Sequence, residues 1–387
     1  MFKQLLGRQD TTSPKYSRNE GFNLFLTNHR LTYHPGGSTL VVSFDNAARP
    51  FEGPFNNREI WGEKFYRKEG HSLLGVVARN PDWFRSADLI AGMQALSNTG
   101  FFQQFDKVVM TGGSMGAFAA CAFAPLAPGC TVLAVSPQMT VDPQLVPWKT
   151  RFPKATKQDW SLPFSSATEG LSAAGRVYVV FDPLDRRDRM HVRMLPTLPN
   201  VVPLAIPAAG HDVSVLLHQI NILKPYTRAA IDGTLSQATF RKMISTRKKG
   251  LRYRRILFRH AIHRGHYQFA VRVAELSHAD FPQGNFQTMR AMALAASGQL
   301  SKAMRQIFPN DADNNLLGEF EPLRSKSKAV SLPKKVNVLN SPTQAQRRQR
   351  IVVLAVQHAA EDDLARRGME LVAEIADQFS ADDMLHV

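Results

Sequence analysis

Cysteine is nearly absent. Cys121 and Cys130 are the two in 387 residues, too few for a disulfide framework, so the chain reads as one suited to a reducing compartment, the cytoplasm. Long apolar runs are missing as well. None approaches the ~18–20 residues a membrane helix needs, and the first residues turn polar at Lys3 and Gln4, before a signal-peptide core could form. No His-Glu-x-x-His occurs, and His260, His263 and His266 sit in a basic stretch, so neither a metal nor another cofactor is expected. Bulk disorder is excluded too, because hydrophobic residues make up 44% and charged residues 21% of the chain, close to globular averages.

Acidic residues are the minority charge, 32 against 48 basic ones, for a net charge of +16. The excess is local. Residues 241–264 hold ten Lys/Arg and no acid, and 324–350 hold eight with none, whereas the last 30 residues are acidic. Such clusters attract anionic partners, but a solvated helix face or a contact with the acidic tail explains them more simply. Only Tyr253 and Phe258 interleave the first cluster with aromatics, so nucleic-acid binding is not expected.

Short apolar runs at 40–44, 73–78, 108–110, 131–135, 177–181 and 201–206 alternate with helical patterns at 58–69, 84–98, 115–125 and 213–230. That alternation predicts an α/β fold with a mostly parallel sheet flanked by helices over 1–234, the strands near-continuously apolar because both faces are covered. Residues 31–33 predict an earlier antiparallel strand. One connection is long and rich in proline and aromatics, including Trp148, Phe152, Trp160 and Phe164. A loop of that length inside a compact domain is usually functional, and 138–170 is the candidate for a cap over the site.

From about 235 the strand signal ends. His263-Arg264-Gly265-His266-Tyr267-Gln268-Phe269-Ala270 is echoed by Ala296-Ser297-Gly298-Gln299-Leu300-Ser301-Lys302-Ala303, which predicts helical hairpins with Gly265 and Gly298 at turns and Ala270 and Ala303 where helices cross. With Pro282 downstream, 235–322 resembles tetratricopeptide-type helical repeats. The resemblance implies a module for docking a protein partner or for self-association. Residues 323–345 read as a Ser-, Pro- and Lys-bearing linker, and 346–387 as a final helix.

The chemistry-bearing segment is the run at 108–110 followed by Thr111-Gly112-Gly113-Ser114-Met115-Gly116-Ala117. A buried strand feeds Gly-x-Ser-x-Gly and then an Ala-rich helix, the setting in which the pentapeptide is a nucleophile elbow presenting Ser114. No lysine follows the glycines as a phosphate loop requires. The base and acid of such a site come later in the chain. His211, in Ala208-Ala209-Gly210-His211-Asp212 directly after the last apolar run, is the candidate base. The acid lies in Asp182-Pro183-Leu184-Asp185-Arg186-Arg187-Asp188. Asp185 is favoured by its register beyond the strand end, with Asp182 and then Asp188 as alternatives. Oxyanion donors are expected from the N–H of Met115 and from Asp45 or Asn46. Asn80, Trp83 and Trp148 are candidate pocket residues.

On Ser114, Asp185 and His211, in that order at strand ends, residues 30–230 resemble the α/β-hydrolase superfamily. The resemblance implies a serine hydrolase acting on an ester, thioester or acylated glycan through an acyl-enzyme. Thr111-Gly112-Gly113-Ser114-Met115-Gly116 with Val135-Ser136-Pro137-Gln138 is also similar to hydrolase-like proteins associated with bacterial surface glycans. The alternative is a non-catalytic hydrolase-fold scaffold that binds partners through its helical repeats.

Overall fold

A computed structural model describes residues 16–47, 51–148 and 151–299, together with Lys302. Among these, eight strands form one sheet: β1 Phe22–Phe25, β2 His29–His34, β3 Thr39–Phe44, β4 Ser72–Ala78, β5 Lys107–Gly113, β6 Thr131–Val135, β7 Arg176–Phe181 and β8 Val201–Ala205. Their order across the sheet is β1-β2-β4-β3-β5-β6-β7-β8. β1 and β2 are antiparallel to each other and β2 to β4, while β3 to β8 run parallel.

The connections are helical where the sequence is amphipathic or small. They are α1 Glu63–Lys68, α2 Ala87–Asn98, α3 Met115–Ala122, α4 Ala167–Gly170, α5 Arg186–Val192, α6 Val213–Gln219, α7 Leu223–Ile231 and α8 Gln237–Met243. Alternate strand residues feed two cores. Leu40, Val42, Phe44, Leu74, Val76, Met110, Val132, Ala134, Val177 and Val179 join one cluster with α2 and α3. The intervening positions, such as Val41, Leu73, Val109, Leu133 and Val180, are buried as well, and by the period of two they face the opposite side. Every residue of α3 is buried. Its Ala and Gly content lets it lie close on β3, β5 and β6, which brings its N-terminus to the carboxyl edge of the sheet.

The chain divides into two units, Met1–Gly250 and Leu251–Val387. The sheet-bearing unit therefore runs past the expected boundary at 234. Tyr178 donates from its hydroxyl to the Leu235 carbonyl (3.0 Å), and Phe240 of α8 stacks its ring edge on Tyr226 of α7, so 235–250 is fastened to the sheet side by its own contacts. The basic stretch 241–264 is accordingly shared between units and does not lie on one helix. The 213–230 helix is also two, because Asn221 takes φ +59° between α6 and α7.

The second unit holds α9 Leu251–His263, α10 Tyr267–Asp280 and α11 Phe286–Ala296, packed through Phe258, Ala261, Ala270, Ala274, Ala291 and Leu294. Gly265 and Gly298 each follow a helix and each takes a left-handed φ, +72° and +80°, a conformation that costs glycine nothing. Ala303, the linker at 323–345 and the helix at 346–387 lie outside the described residues. Among the described residues no helix is long and apolar enough to cross a membrane.

Candidate active site

β5 ends at Gly113, and α3 begins at Met115. Ser114 makes the whole turn at φ +53°, ψ −110°, a region of backbone space that costs a β-carbon residue of order 1–3 kcal/mol. The turn is over-determined by its neighbours. The Ser114 N–H donates to the Val135 carbonyl of β6 (2.8 Å), and the Ser114 carbonyl accepts from Phe118 (3.1 Å). Gly112 and Gly116 make it sterically feasible. A Cβ on Gly112 would lie 2.4 Å from the Gly116 carbonyl carbon, and one on Gly116 would lie 2.5 Å from the Phe44 oxygen.

His211 arrives from the loop between β8 and α6. Its Nε2 stands 2.9 Å from Ser114 Oγ, and its Nδ1 stands 2.9 Å from both carboxylate oxygens of Asp188. An ionised carboxylate only accepts, so the Nδ1 proton donates to Asp188 and the Nε2 lone pair accepts from the serine hydroxyl. Asp188 is fully buried, and Gln138 Nε2 also donates to its Oδ1 (3.1 Å).

The acid expected at this position was Asp185, and the structure places Asp188 there. Asp185 is the N-cap of α5, its Oδ1 accepting from the N–H groups of Arg187 (3.0 Å) and Asp188 (3.1 Å). A carboxylate committed to its own helix start is not aimed at the imidazole, whereas Asp188 lies most of a turn further along. Burial alone would raise the Asp185 carboxyl, but Arg151 and the Asp188 N–H outweigh it and hold it below the ordinary value. Asp182 does a third job. Its buried carboxylate accepts from Leu184 (2.8 Å) and, across to the histidine loop, from Ala208 (3.1 Å) and Gly210 (2.8 Å). It therefore shapes the turn that carries His211.

The oxyanion donors are brought together only in part. Met115 opens α3, so its N–H has no acceptor within the helix. The other two differ from expectation. Asp45 N–H extends the ladder to Val76 O (3.1 Å), and Asn46 N–H is taken by Asp45 Oδ1 (2.9 Å). Arg58 pairs its Nε with Asp45 Oδ2 while Oδ1 lies against the Asn46 N–H, so that carboxylate is held back over its own backbone.

Trp83 is buried at φ +60°, its ring 5.8 Å from Phe118 and 5.3 Å from Phe152, which in turn lies 5.8 Å from the His211 ring. Trp148 packs its ring edge on His191 of α5 (5.7 Å). Asn80 is exposed and paired with Asn28, which accepts from its N–H (3.0 Å) and side-chain amide (3.1 Å), so it is not part of the wall. The segment 138–170 reaches the site at three points. Phe152 touches the His211 ring. Trp160 packs its ring edge on Phe118 of α3 (5.7 Å). Arg151 bonds Asp185 and approaches Asp188 (3.5 Å).

Sequence reasoning missed Arg151, Gln138 and the Asp182 bonds. Asp188 had one available signal, since Asp185-x-x-Asp188 ahead of a short amphipathic run is an N-cap pattern that spends the first acid on the backbone. Both thiols are free and buried, and burial pushes Cys130 up to about 12 and Cys121 higher still, which leaves them unreactive. Among the described residues no three His, Cys, Asp or Glu side chains gather as a metal site would need.

No protein-family model matches the chain, and no curated protein does. Among solved structures it is similar to the capsule O-acetyltransferase of Neisseria meningitidis serogroup A, at 13% identity over 54% of this chain and 93% of that one, with a TM-score of 0.39. An alpha-beta serine hydrolase homologue from Coxiella burnetii is 14% identical over 56% of this chain and 98% of that one, with a TM-score of 0.34. The Glycosylation Associate Protein complex from Streptococcus agalactiae is 13% identical over 58% of this chain and 46% of that one, with a TM-score of 0.36.

Proposed function

We propose that the protein is a serine hydrolase that cleaves an ester, thioester or acylated glycan through an acyl-enzyme on Ser114, with His211 as base and Asp188 as orienting acid. The observation that carries the reading is the unbroken chain Ser114 Oγ–His211 Nε2 and His211 Nδ1–Asp188, every link at 2.9 Å, with the serine held in a strained turn. A scaffold that only binds has no use for a buried carboxylate aligning an imidazole on a serine hydroxyl.

In the first half-reaction His211 Nε2 takes the serine proton as Oγ attacks the acyl carbon. The bond to the leaving group then breaks, and the imidazolium returns that proton to the departing oxygen or sulfur. Water, deprotonated by the same nitrogen, releases the acid and restores Ser114. The charge developing on the carbonyl oxygen is met by Met115 N–H at the positive end of α3. Phe152, Trp83, Phe118 and Trp160 form an apolar run beside the imidazole, which suits a cap that excludes water and receives an acyl chain. The second unit is assigned to docking or self-association, with Phe269 and Leu276 seven apart on α10 and half exposed as its apolar face.

A fluorophosphonate probe tests the reading. It should label wild type at Ser114 and fail on Ser114→Ala, and His211→Ala should lose labelling almost as completely because such groups act as a unit. Substrates of increasing acyl length would then size the pocket. Equal labelling of wild type and His211→Ala would rule the proposal out.

A further inference from the structure

Arg151 precedes Phe152 in the segment between β6 and β7, and its charge is spent on α5. Its Nη2 donates to Asp185 Oδ1 (2.9 Å) and Oδ2 (2.8 Å) and lies 3.5 Å from Asp188 Oδ1. The side chains are 24%, 18% and 0% exposed, respectively. This guanidinium therefore lies between the cap carboxylate and the histidine-bonded carboxylate, where screening by water is weak and each charge is felt at several times its aqueous strength. The next residue's ring rests on His211, so the ion pair and the apolar wall are parts of one stretch of chain.

We propose that Arg151 is a positioning residue that holds the stretch carrying Phe152 onto α5 and balances the charge beside Asp188, so that the seating of the Phe152 ring against His211 and the imidazole's protonation depend on one ion pair. The inference rests on the hydrolase reading only for the labelling arm of its test.

The charge logic is specific. The groups facing His211 are Asp188, Asp185, Arg151, Asp212 at the start of α6, and His191 of α5. His191 is kept neutral, since burial pulls it down to about 4. In the intact site Arg151 and Asp185 cancel and Asp212 is exposed to solvent, which leaves Asp188 as the buried charge on the ring. Arg151→Met leaves two carboxylates there and favours the protonated ring. Asp185→Asn leaves Arg151 to Asp188 alone and disfavours it, while asparagine still caps the helix. The two changes must therefore push the acid limb in opposite directions, each by about 0.5 pH unit or more. A residue that merely stabilised the fold would not produce opposite signs.

The experiment measures fluorophosphonate labelling rates of the full chain from pH 5 to 9, and follows the His211 Cε1–H by NMR titration over the same range, which needs no turnover. The expected result is an acid limb and an NMR midpoint moved up in Arg151→Met, moved down in Asp185→Asn, and returned toward wild type in Arg151→Lys. Midpoints that stay put, or move together, overturn the proposal. If Arg151→Met does not fold, Asp185→Asn alone decides, because its downward shift is required. A wild-type protein that is not labelled but whose variants show the opposed NMR shifts would remove the hydrolase reading and leave this one standing.

Discussion

Gly112→Ala isolates the geometry of the elbow from its chemistry. The substitution adds one methyl and touches no catalytic group. That Cβ would meet the Gly116 carbonyl carbon at 2.4 Å, its oxygen at 2.5 Å and its Cα at 2.8 Å. Ordinary contact begins near 3.4 Å, so β5 and the start of α3 must part by about 1 Å, a displacement that no rotamer change absorbs because every atom met is backbone. The parting has a direct outlet. Ser114 sits between those two elements, tied to Val135 on one side and Phe118 on the other, and its Oγ leaves the His211 Nε2 that it meets at 2.9 Å. An ångström of misplacement costs about 10²-fold in rate, and overpacking of this kind costs ~1–3 kcal/mol or more in stability. Gly113→Ala is the control, since a Cβ there meets nothing within 4 Å and its φ is not left-handed. It should stay within ~0.5 kcal/mol of wild type. Urea midpoints and labelling rates measured on both variants decide the matter. A Gly112→Ala protein that labels at the wild-type rate with an unchanged midpoint would show that strand and helix are not in the contact described.

Three further outcomes follow from single residues. Asp188→Asn should lower turnover by ~10⁴, because an amide stabilises the wrong imidazole tautomer; if Asp185→Asn does this instead, the acid has been misassigned. His191 stays neutral down to about pH 4 in the fold, whereas in the unfolded chain it takes a proton below about pH 6.5, so stability falls with acid across that window by up to ~3 kcal/mol. His191→Gln should flatten that part of the pH–stability curve, and an unchanged slope would contradict the burial. Ala270→Leu in the second unit, where Ala270 is fully buried, should cost ~1–3 kcal/mol by overpacking with labelling of Ser114 unaffected; lost labelling would mean that the two units are coupled.

β3 to β7 were legible because they are buried on both faces, which makes them continuous apolar runs, and β8, though partly exposed at the sheet edge, because its sequence is still apolar throughout. β1 was not, since Phe22-Asn23-Leu24-Phe25 is short and its residues are only partly covered. The turn at Ser114 and the place of His211 were legible because Gly-x-Ser-x-Gly lies between a strand and a small-residue helix, and the histidine lies directly after the last apolar run. The acid was harder. The sequence points to a carboxylate after β7, but an arginine-rich run conceals the short helix α5, so the count from β7 reaches Asp185 at its N-cap and not Asp188, the residue that meets His211. The oxyanion loop failed for a similar reason. Asp45 looks in sequence like a turn residue with a spare amide, but its N–H extends the ladder to Val76, and its carboxylate, paired with Arg58 thirteen residues away, takes the N–H of Asn46.

The same limit explains why two arginines were invisible as architecture. Among its described residues, segment 138–170 holds little regular structure beyond a four-residue α4 and a short 3-10 turn at Ala155–Lys157, so many of their carbonyls lack ladder or helix partners, and a buried carbonyl left unpaired is costly. Arg85, almost fully buried, donates from Nη1 to Pro163 (2.8 Å), from Nη2 to Leu162 and from Nε to Asp159 (3.3 Å), with its guanidinium 5.4 Å over the Trp160 ring. Burial draws it down to about 10, still above neutral pH, so the full set of donors is kept. Arg85 thus holds the far end of the segment by its backbone while Arg151 holds the near end by its charge. Between the two anchors lie Phe152 and Trp160, so the anchors fix where these rings pack, Phe152 on His211 and Trp160 on Phe118.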